Sequence, residues 1–348
     1  MKLVDALLQG DRLALARTLT QIENETPESR LVLDVLFQHA GKAHVIGVTG
    51  ATGSGKSTLI NQLARAFRSP QSDYPPALVA ILAVDPSSPF TGGAVLGDRV
   101  RMRDLSGDSG IFIRSLATRG ILGGLAETTA EMVTVLDAAG YDVIFVETVG
   151  AGQAEVEIAR LAHTVLLVEN PGMGDDIQVI KAGILEIADV IAINKADRPG
   201  VEQTEGALSS MLDGNHRSKY GLIGLHHLMN KDWALNFPIM DVQTGWQVKL
   251  VRTVANKAEG IPTLVKALRD HWDFLKSSGL LQVNQCIRLR NNLENLIREN
   301  LFKNWRSHIN LQEYDQALER IFNREVSPIV LAEEIIHTDY FHKTPVIH

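Results

Sequence analysis

One octapeptide combines the residue types that bind phosphate: Gly50-Ala51-Thr52-Gly53-Ser54-Gly55-Lys56-Ser57. It follows an apolar run at residues 45–48 and precedes a helix-like run at residues 58–67, which is the strand, glycine loop and helix order of a P-loop. Backbone N–H groups of such a loop and the positive end of its helix surround a polyphosphate. We therefore predict that Lys56 contacts the β- and γ-phosphates and that the Ser57 hydroxyl binds Mg²⁺. The predicted nucleotide contacts of this segment are Gly50, Gly53, Ser54, Gly55, Lys56, Ser57 and Thr58.

A chance match is the alternative for this motif. Average residue frequencies give about one such match per hundred random chains of this length. The strand and helix that flank the motif lower that rate further.

Acidic residues end two further strand-like runs. Asp85 follows a buried run at residues 77–84, and Glu147 ends a run at residues 141–147, with Gly150 three residues later. GTPases use a strand-end acid, two residues and glycine to sense the γ-phosphate: the carboxylate holds a water on Mg²⁺ and the glycine N–H contacts the phosphate. Asp85 should face the same crevice, because the carboxyl ends of parallel strands meet at one edge. A helix cap or Asx-turn before Pro86 is the alternative for Asp85.

Two glycine–acid segments have the composition of nucleotide-sensing loops. Residues 91–103 are rich in glycine and then carry Asp98 and three alternate arginines, which suits a switch loop, although a loop leading into a solvated basic helix explains the pattern equally well. Gly174, Asp175 and Asp176 open a helix whose apolar positions share one face, and helix capping alone accounts for the two acids.

A second strong motif, Asn194-Lys195-Ala196-Asp197, ends a buried strand at residues 190–193. A buried Asp197 carboxylate would accept hydrogen bonds from guanine N1–H and from the exocyclic amine, whereas adenine offers neither donor. Lys195 would lie along the ring, Asn194 would bridge the loops, and a backbone N–H near Ala255 would bond guanine O6. Two motifs in this order favour GTP over other nucleotides.

The elements around these motifs alternate between strand and helix up to residue 278, which predicts an α/β fold with a mostly parallel sheet. Residues 1–42 predict an N-terminal helical extension, with Thr26 as a helix cap and Pro27 at the first helical position. From residue 279 the alternation ends. A helix at residues 280–301 carries an apolar stripe, and the chain beyond residue 326 is weakly patterned. We therefore predict three parts, residues 1–42, 43–278 and 279–348.

Composition excludes several classes of protein. The chain has 348 residues, 45% hydrophobic and 22% charged, and a single cysteine, Cys286, so it has no internal disulfide framework or multi-cysteine metal site. A net charge of −7 is opposite to the basic footprint of a nucleic-acid-binding protein. No apolar run approaches the ~20 residues of a membrane span, and we expect a cytoplasmic protein.

Taken jointly, these motifs resemble the MeaB/ArgK group, P-loop GTPases that act as G-protein chaperones of adenosylcobalamin-dependent acyl-CoA mutases. The resemblance covers residues 3–306. It rests on the P-loop, on Asp85-Pro86-Ser87-Ser88, on Gly97-Asp98-Arg99, on Glu147-Thr148-Val149-Gly150, on Gly174-Asp175-Asp176 and on Asn194-Lys195-Ala196-Asp197.

That resemblance implies further assignments. It implies that Lys56, Asp85, Asp98 and Glu147 surround the phosphates and the Mg²⁺ ion, with Ser57 also on the metal, and that residues 175–181 form a partner-responsive switch. It also implies a C-terminal arm that forms a homodimer. The implied client is methylmalonyl-CoA mutase, whose cofactor loading the GTPase gates and which it protects or reactivates.

Three other functions remain as alternatives. A metal-delivery GTPase would need a Cys/His cluster, which the sequence does not supply. Asn194 to Asp197 argue against a P-loop kinase or a transport ATPase. A binding scaffold with a degenerate site would not retain Lys56, Ser57, Glu147 and Asp197.

Overall fold

A computed structural model of the chain describes residues 2–70, 74–85, 103–105, 107–117, 124–148, 161–172, 182–214, 245–309 and 311–337. Within those ranges the strands are β1 His44–Thr49, β2 Val79–Asp85, β3 Ile111–Ala117, β4 Val143–Glu147, β5 Thr164–Glu169, β6 Val190–Ile193 and β7 Lys249–Arg252. The helices are α1 Lys2–Leu8, α2 Arg12–Glu23, α3 Pro27–Phe37, α4 Lys56–Arg68, α5 Gly124–Ala138, α6 Ala182–Ile187, α7 Val201–Gly214, α8 Ile261–Ser277, α9 Leu280–His308, α10 Leu311–Phe322 and α11 Pro328–His337. Of these described helices, none is both long and apolar enough to cross a membrane.

The strands form one parallel sheet in the order β3-β2-β4-β1-β5-β6-β7. β1 lies at the centre, paired with β4 on one side and with β5 on the other. Parallel neighbours require crossover connections, and helices such as α4, between β1 and β2, supply them. The predicted α/β class is confirmed, and the carboxyl ends of the strands lie together at one edge.

Helices cover both faces of the sheet, as its buried central strands β4, β1, β5 and β6 require. On one face α4 and α8 pack against alternate residues of the central strands, among them Ile46, Phe145 and Val168. On the other face α1, α2, α3 and α5 pack against the intervening residues, among them Val45 and Ile144. The N-terminal helices predicted as an extension therefore contribute to the core of the sheet domain.

The break between α2 and α3 lies at the position that was predicted from the sequence. Thr26 occupies the N-cap position of α3, and Pro27 is its first residue. The Thr26 side chain makes no capping hydrogen bond. The Thr26 carbonyl instead accepts the Ser29 hydroxyl at 2.7 Å.

The chain divides into two compact units, Met1–Gln285 and Cys286–His348. In the second unit α11 occupies residues 328–337, where the sequence pattern is weak. Leu331 is buried in α11, whereas Ile329 of the same helix and Phe322 at the end of α10 are 73% and 87% exposed. The three-part division at residues 42 and 278 stays a prediction.

A chain of buried polar side chains joins β1, β5 and α8 at the amino-terminal end of the sheet. His44 Nε2 lies 2.6 Å from Thr164 Oγ1, and Thr164 Oγ1 lies 2.8 Å from His271 Nδ1. His271 Nε2 in turn lies 3.6 Å from Asp189 Oδ1. Burial, together with electrostatic repulsion from His271 and Lys276, holds the pKa of His44 well below its usual value.

We expect the free energy of unfolding to fall as the pH drops below about 6.5, because the unfolded chain then binds a proton at His44 that the folded chain does not. The loss continues down to the lower pKa of the folded state and amounts to about 1.4 kcal/mol per pH unit for one such histidine. Denaturant unfolding at pH 7.5 and pH 5.5 measures this loss. His44→Gln should flatten the pH dependence relative to the unsubstituted chain, whereas His39→Gln, at an exposed histidine, should not. Equal slopes in the unsubstituted chain and His44→Gln would contradict the expectation.

Candidate nucleotide-binding site

The loop between β1 and α4 turns through three glycines with positive φ: Gly50 (135°), Gly53 (81°) and Gly55 (94°). At two of them a neighbouring group occupies the space of a side chain. A Cβ on Gly50 would lie 2.1 Å from the Val168 carbonyl oxygen, and a Cβ on Gly55 would lie 2.4 Å from Asn194 Nδ2. The loop is therefore held against β5 and against the segment that follows β6.

Lys56 and Ser57 form the first turn of α4, at the carboxyl edge of the sheet. The Lys56 ammonium donates to the carbonyl oxygens of Gly50 at 2.8 Å and Ala51 at 3.1 Å. The lysine thus curls back over the glycine loop and brings its charge to the place where a P-loop holds phosphate. Thr58, the next residue, is exposed.

The Ser57 hydroxyl donates to Glu147 Oε1 at 2.7 Å, and both residues are buried. Strand register produces this contact, since Glu147 ends β4 opposite Val48, and the P-loop begins two residues after Val48. Mg²⁺ prefers oxygen ligands and usually keeps water or phosphate oxygens beside one or two carboxylates. A buried hydroxyl and carboxylate side by side therefore fit a magnesium ion.

The other predicted phosphate and metal residues are placed in part. Asp85 ends β2, and Ala83 of that strand pairs with Glu147, so the backbone of Asp85 lies at the same edge of the sheet. Asp98 and Gly150 lie outside the described residues, as do residues 174–181, which include the predicted switch. Their roles stay predictions.

Asn194 joins the loop after β6 to two other loops. Its Nδ2 donates to the Ser54 carbonyl at 2.9 Å, and its Oδ1 accepts from the Ala255 N–H at 3.1 Å and from the Thr253 hydroxyl at 3.3 Å. Asn194 and Thr253 are both buried. The Ala255 N–H, predicted to bond guanine O6, thus donates to Asn194 here, and its role toward the base stays a prediction.

Asp197 is exposed, which corrects the expectation that it is buried. It lies in the turn after β6, where its carboxylate accepts from Lys257 Nζ at 3.1 Å. That hydrogen bond, with the charge of Lys257, lowers the pKa of Asp197; the same hydrogen bond, with the charge of Asp197, raises the pKa of Lys257. Lys195, at φ 58°, donates from Nζ to the Gly53 carbonyl at 2.6 Å, so the motif contacts the P-loop directly.

A cavity of about 160 Å³ lies beside Asp197; it is lined by Ala196, Asp197, Arg252, Thr253, Val254 and Glu259. Sequence reasoning singled out neither Thr253 nor Lys257 for this site. Thr253 carried a weak signal, as a polar residue at the end of an apolar strand. Lys257 carried none, because its pairing with Asp197 depends on how two distant loops fold.

A parallel sheet with a P-loop after its central strand, a serine–glutamate pair beneath the phosphate loop and an Asn-Lys-x-Asp turn beside it defines a P-loop GTPase. The comparison with family models agrees. Residues 15–310 match the model described as methylmalonyl-CoA mutase-associated GTPase MeaB, and the chain belongs to this family. The resemblance to the MeaB/ArgK group is thereby confirmed.

Relatives in three organisms span the chain. A protein of Pyrococcus abyssi is 39% identical over 335 residues, covering 96% of this chain and 95% of the relative. GTPase ArgK of Escherichia coli is 34% identical and covers 96% of both chains. The mitochondrial methylmalonic aciduria type A homolog of Caenorhabditis elegans is 29% identical, covering 97% of this chain and 82% of the relative. Among solved structures, a LAO/AO transport system kinase superposes with a TM-score of 0.66 at 25% identity, covering 99% and 97% of the two chains.

Proposed function

We propose that this GTPase is a chaperone of an adenosylcobalamin-dependent acyl-CoA mutase, with methylmalonyl-CoA mutase as the client. It would dock on the mutase, gate the loading of the cofactor and protect or reactivate the enzyme. The observation that carries this proposal is the match of residues 15–310 to a family described as mutase-associated. The relative from Caenorhabditis elegans, named for methylmalonic aciduria, supports the same client.

The proposed chemistry is hydrolysis of GTP by in-line attack of water. Bound Mg²⁺ would neutralise charge on the β- and γ-phosphate oxygens. Ser57 and Glu147 would hold the ion together with Asp85 and Asp98, while Lys56 stabilises the charge that develops during phosphoryl transfer. Asp197 would select guanine through its two oxygens. A slow intrinsic rate, raised by the client, is expected of such a switch.

Coupling to the client requires that the GTP and GDP states bind it with different affinities. We assign this difference to the switch at residues 175–181. A homodimer is also proposed. Its support is the stripe on α9 at four-residue spacing, where Leu289, Leu293, Ile297 and Leu301 are between 45% and 58% exposed.

Base selection can be tested by calorimetric titration of GDP and ADP, with Mg²⁺, into the unsubstituted chain and Asp197→Ala. The unsubstituted chain should bind GDP tightly and ADP negligibly, and the variant should lose at least about a hundredfold in GDP affinity, since two hydrogen bonds to a charged group disappear. Asp34→Ala, at an exposed carboxylate on α3, is the matched control and should bind like the unsubstituted chain. Equal binding of ADP and GDP would overturn the guanine assignment.

The client can be tested separately by measuring GTP hydrolysis with and without a methylmalonyl-CoA mutase. A stimulated rate and a complex that differs between the GTP- and GDP-loaded states would support the proposal. Hydrolysis that is unchanged by the mutase, with no complex in either state, would refute the client but leave the GTPase intact.

A further inference from the structure

A tightly closed turn positions Lys257 for its ion pair with Asp197. Val254 and Glu259 form an antiparallel bridge, with N···O distances of 3.1 and 3.3 Å, and Ala258 lies between them at φ 56°. A Cβ on Gly260 would lie 2.1 Å from the Arg252 carbonyl oxygen, so the end of this turn presses on the end of β7. The backbone that carries Lys257 is therefore fixed relative to the sheet.

The turn is also joined to the loop that carries Asp197. The Ala196 N–H donates to the Thr253 carbonyl at 3.0 Å, and the Ala255 N–H donates to Asn194 Oδ1 at 3.1 Å. These contacts hold the two loops side by side without involving the side chains of Lys257 and Asp197. Lys257 Nζ then reaches Asp197 Oδ2 at 3.1 Å, with the side chains 51% and 39% exposed.

An exposed ion pair of this kind adds little to folding stability, because water and salt screen it. Its position suggests another use. An ionised carboxylate offers about four lone-pair directions, and guanine takes one on each oxygen. A lysine on Oδ2 can therefore remain bound while both oxygens face the base, and it would hold the plane of the carboxylate in one orientation.

We propose that Lys257 is a positioning residue for base recognition: it orients the Asp197 carboxylate so that both oxygens face guanine N1–H and the 2-amino group. This inference rests on the proposed guanine site. A carboxylate that rotates freely can still make one hydrogen bond but makes two less often. Loss of Lys257 should thus penalise guanine, which needs both oxygens, more than hypoxanthine, which lacks the 2-amino group.

The test is calorimetric titration of GDP, inosine diphosphate and ADP into the unsubstituted chain, Lys257→Met and Lys257→Arg. Lys257→Met should weaken GDP binding about fivefold and inosine diphosphate binding about twofold or less, which is the size expected when an exposed charge pair is lost. Lys257→Arg keeps the charge and should restore most of the GDP preference. In 0.5 M salt the difference between the unsubstituted chain and Lys257→Met should shrink, because the pair is screened.

Lys266→Met is the matched control, since Lys266 forms an exposed ion pair of the same kind with Asp270 on α8, at 2.7 Å. It should leave all three affinities unchanged. If the unsubstituted chain prefers GDP to ADP and Lys257→Met keeps its preference for GDP over inosine diphosphate, the role of Lys257 is refuted while the guanine site stands. Tighter GDP binding by Lys257→Met would also refute it, because the lysine would then compete with the base. If the unsubstituted chain shows no preference for GDP over ADP, both the proposed guanine site and the proposed role of Lys257 are refuted.

Discussion

Lys56→Met is expected to reduce GTP hydrolysis to about a hundredth or less, the size of effect seen when one preorganised donor to a developing negative charge is removed. Lys56 is buried, and its ammonium lies within 3.1 Å of two carbonyl oxygens of the P-loop. Those carbonyls hold the charge beside the phosphate position, so it needs little reorganisation when a phosphate arrives. Methionine has nearly the same length and shape but no charge, and it therefore tests the ammonium rather than the volume.

Single-turnover hydrolysis at saturating GTP measures this effect, and GDP affinity should fall by at least about tenfold in the same variant. Lys42→Met, at an exposed lysine just before β1, is the control and should hydrolyse GTP at the unsubstituted rate. Thermal unfolding of both variants shows whether the P-loop still folds. A rate within threefold of the unsubstituted chain, in a folded Lys56→Met protein, would be incompatible with the role assigned to Lys56.

The arrangement of the phosphate side of the site follows from the order of the motifs in the sequence. A glycine loop after one buried strand and an acid at the end of another must meet if the strands are parallel and adjacent, and β1 and β4 are. The contact of Ser57 with Glu147 is a consequence of that register. These strand and loop patterns are local in the chain, so they can be recognised from a single sequence.

The base side could be predicted only in outline. The Asn-Lys-x-Asp motif indicates the base that is read, but the exposure of Asp197 depends on the turn after β7, which lies about sixty residues later in the chain. The pairing of Asp197 with Lys257 has no sequence signature for the same reason. The helix at residues 280–301 was predicted and lies within α9, whereas no separate helices were predicted at the positions of α10 and α11.

Gly50→Ala should destabilise the folded chain by about 3 kcal/mol or more, at the upper end of the range for single substitutions, because strain and overpacking act at one position. A φ of 135° is unfavourable for any residue with a Cβ. The new methyl group would also lie 2.1 Å from the Val168 carbonyl oxygen and 3.0 Å from its carbon. Val168 belongs to a strand held by β1 on one side and β6 on the other, so its backbone cannot move aside without breaking ladder hydrogen bonds.

Gly53→Ala separates the two contributions. Gly53 also has positive φ, at 81°, but a Cβ there meets nothing within 4 Å, so only the backbone term of about 1–2 kcal/mol applies. Denaturant unfolding of the two variants without nucleotide compares them free of any effect on binding. If Gly50→Ala were no less stable than Gly53→Ala, this result would contradict the close approach of the P-loop to β5. If the predicted gap is found, the phosphate loop is held by contact with the sheet itself, and its shape is set before nucleotide arrives.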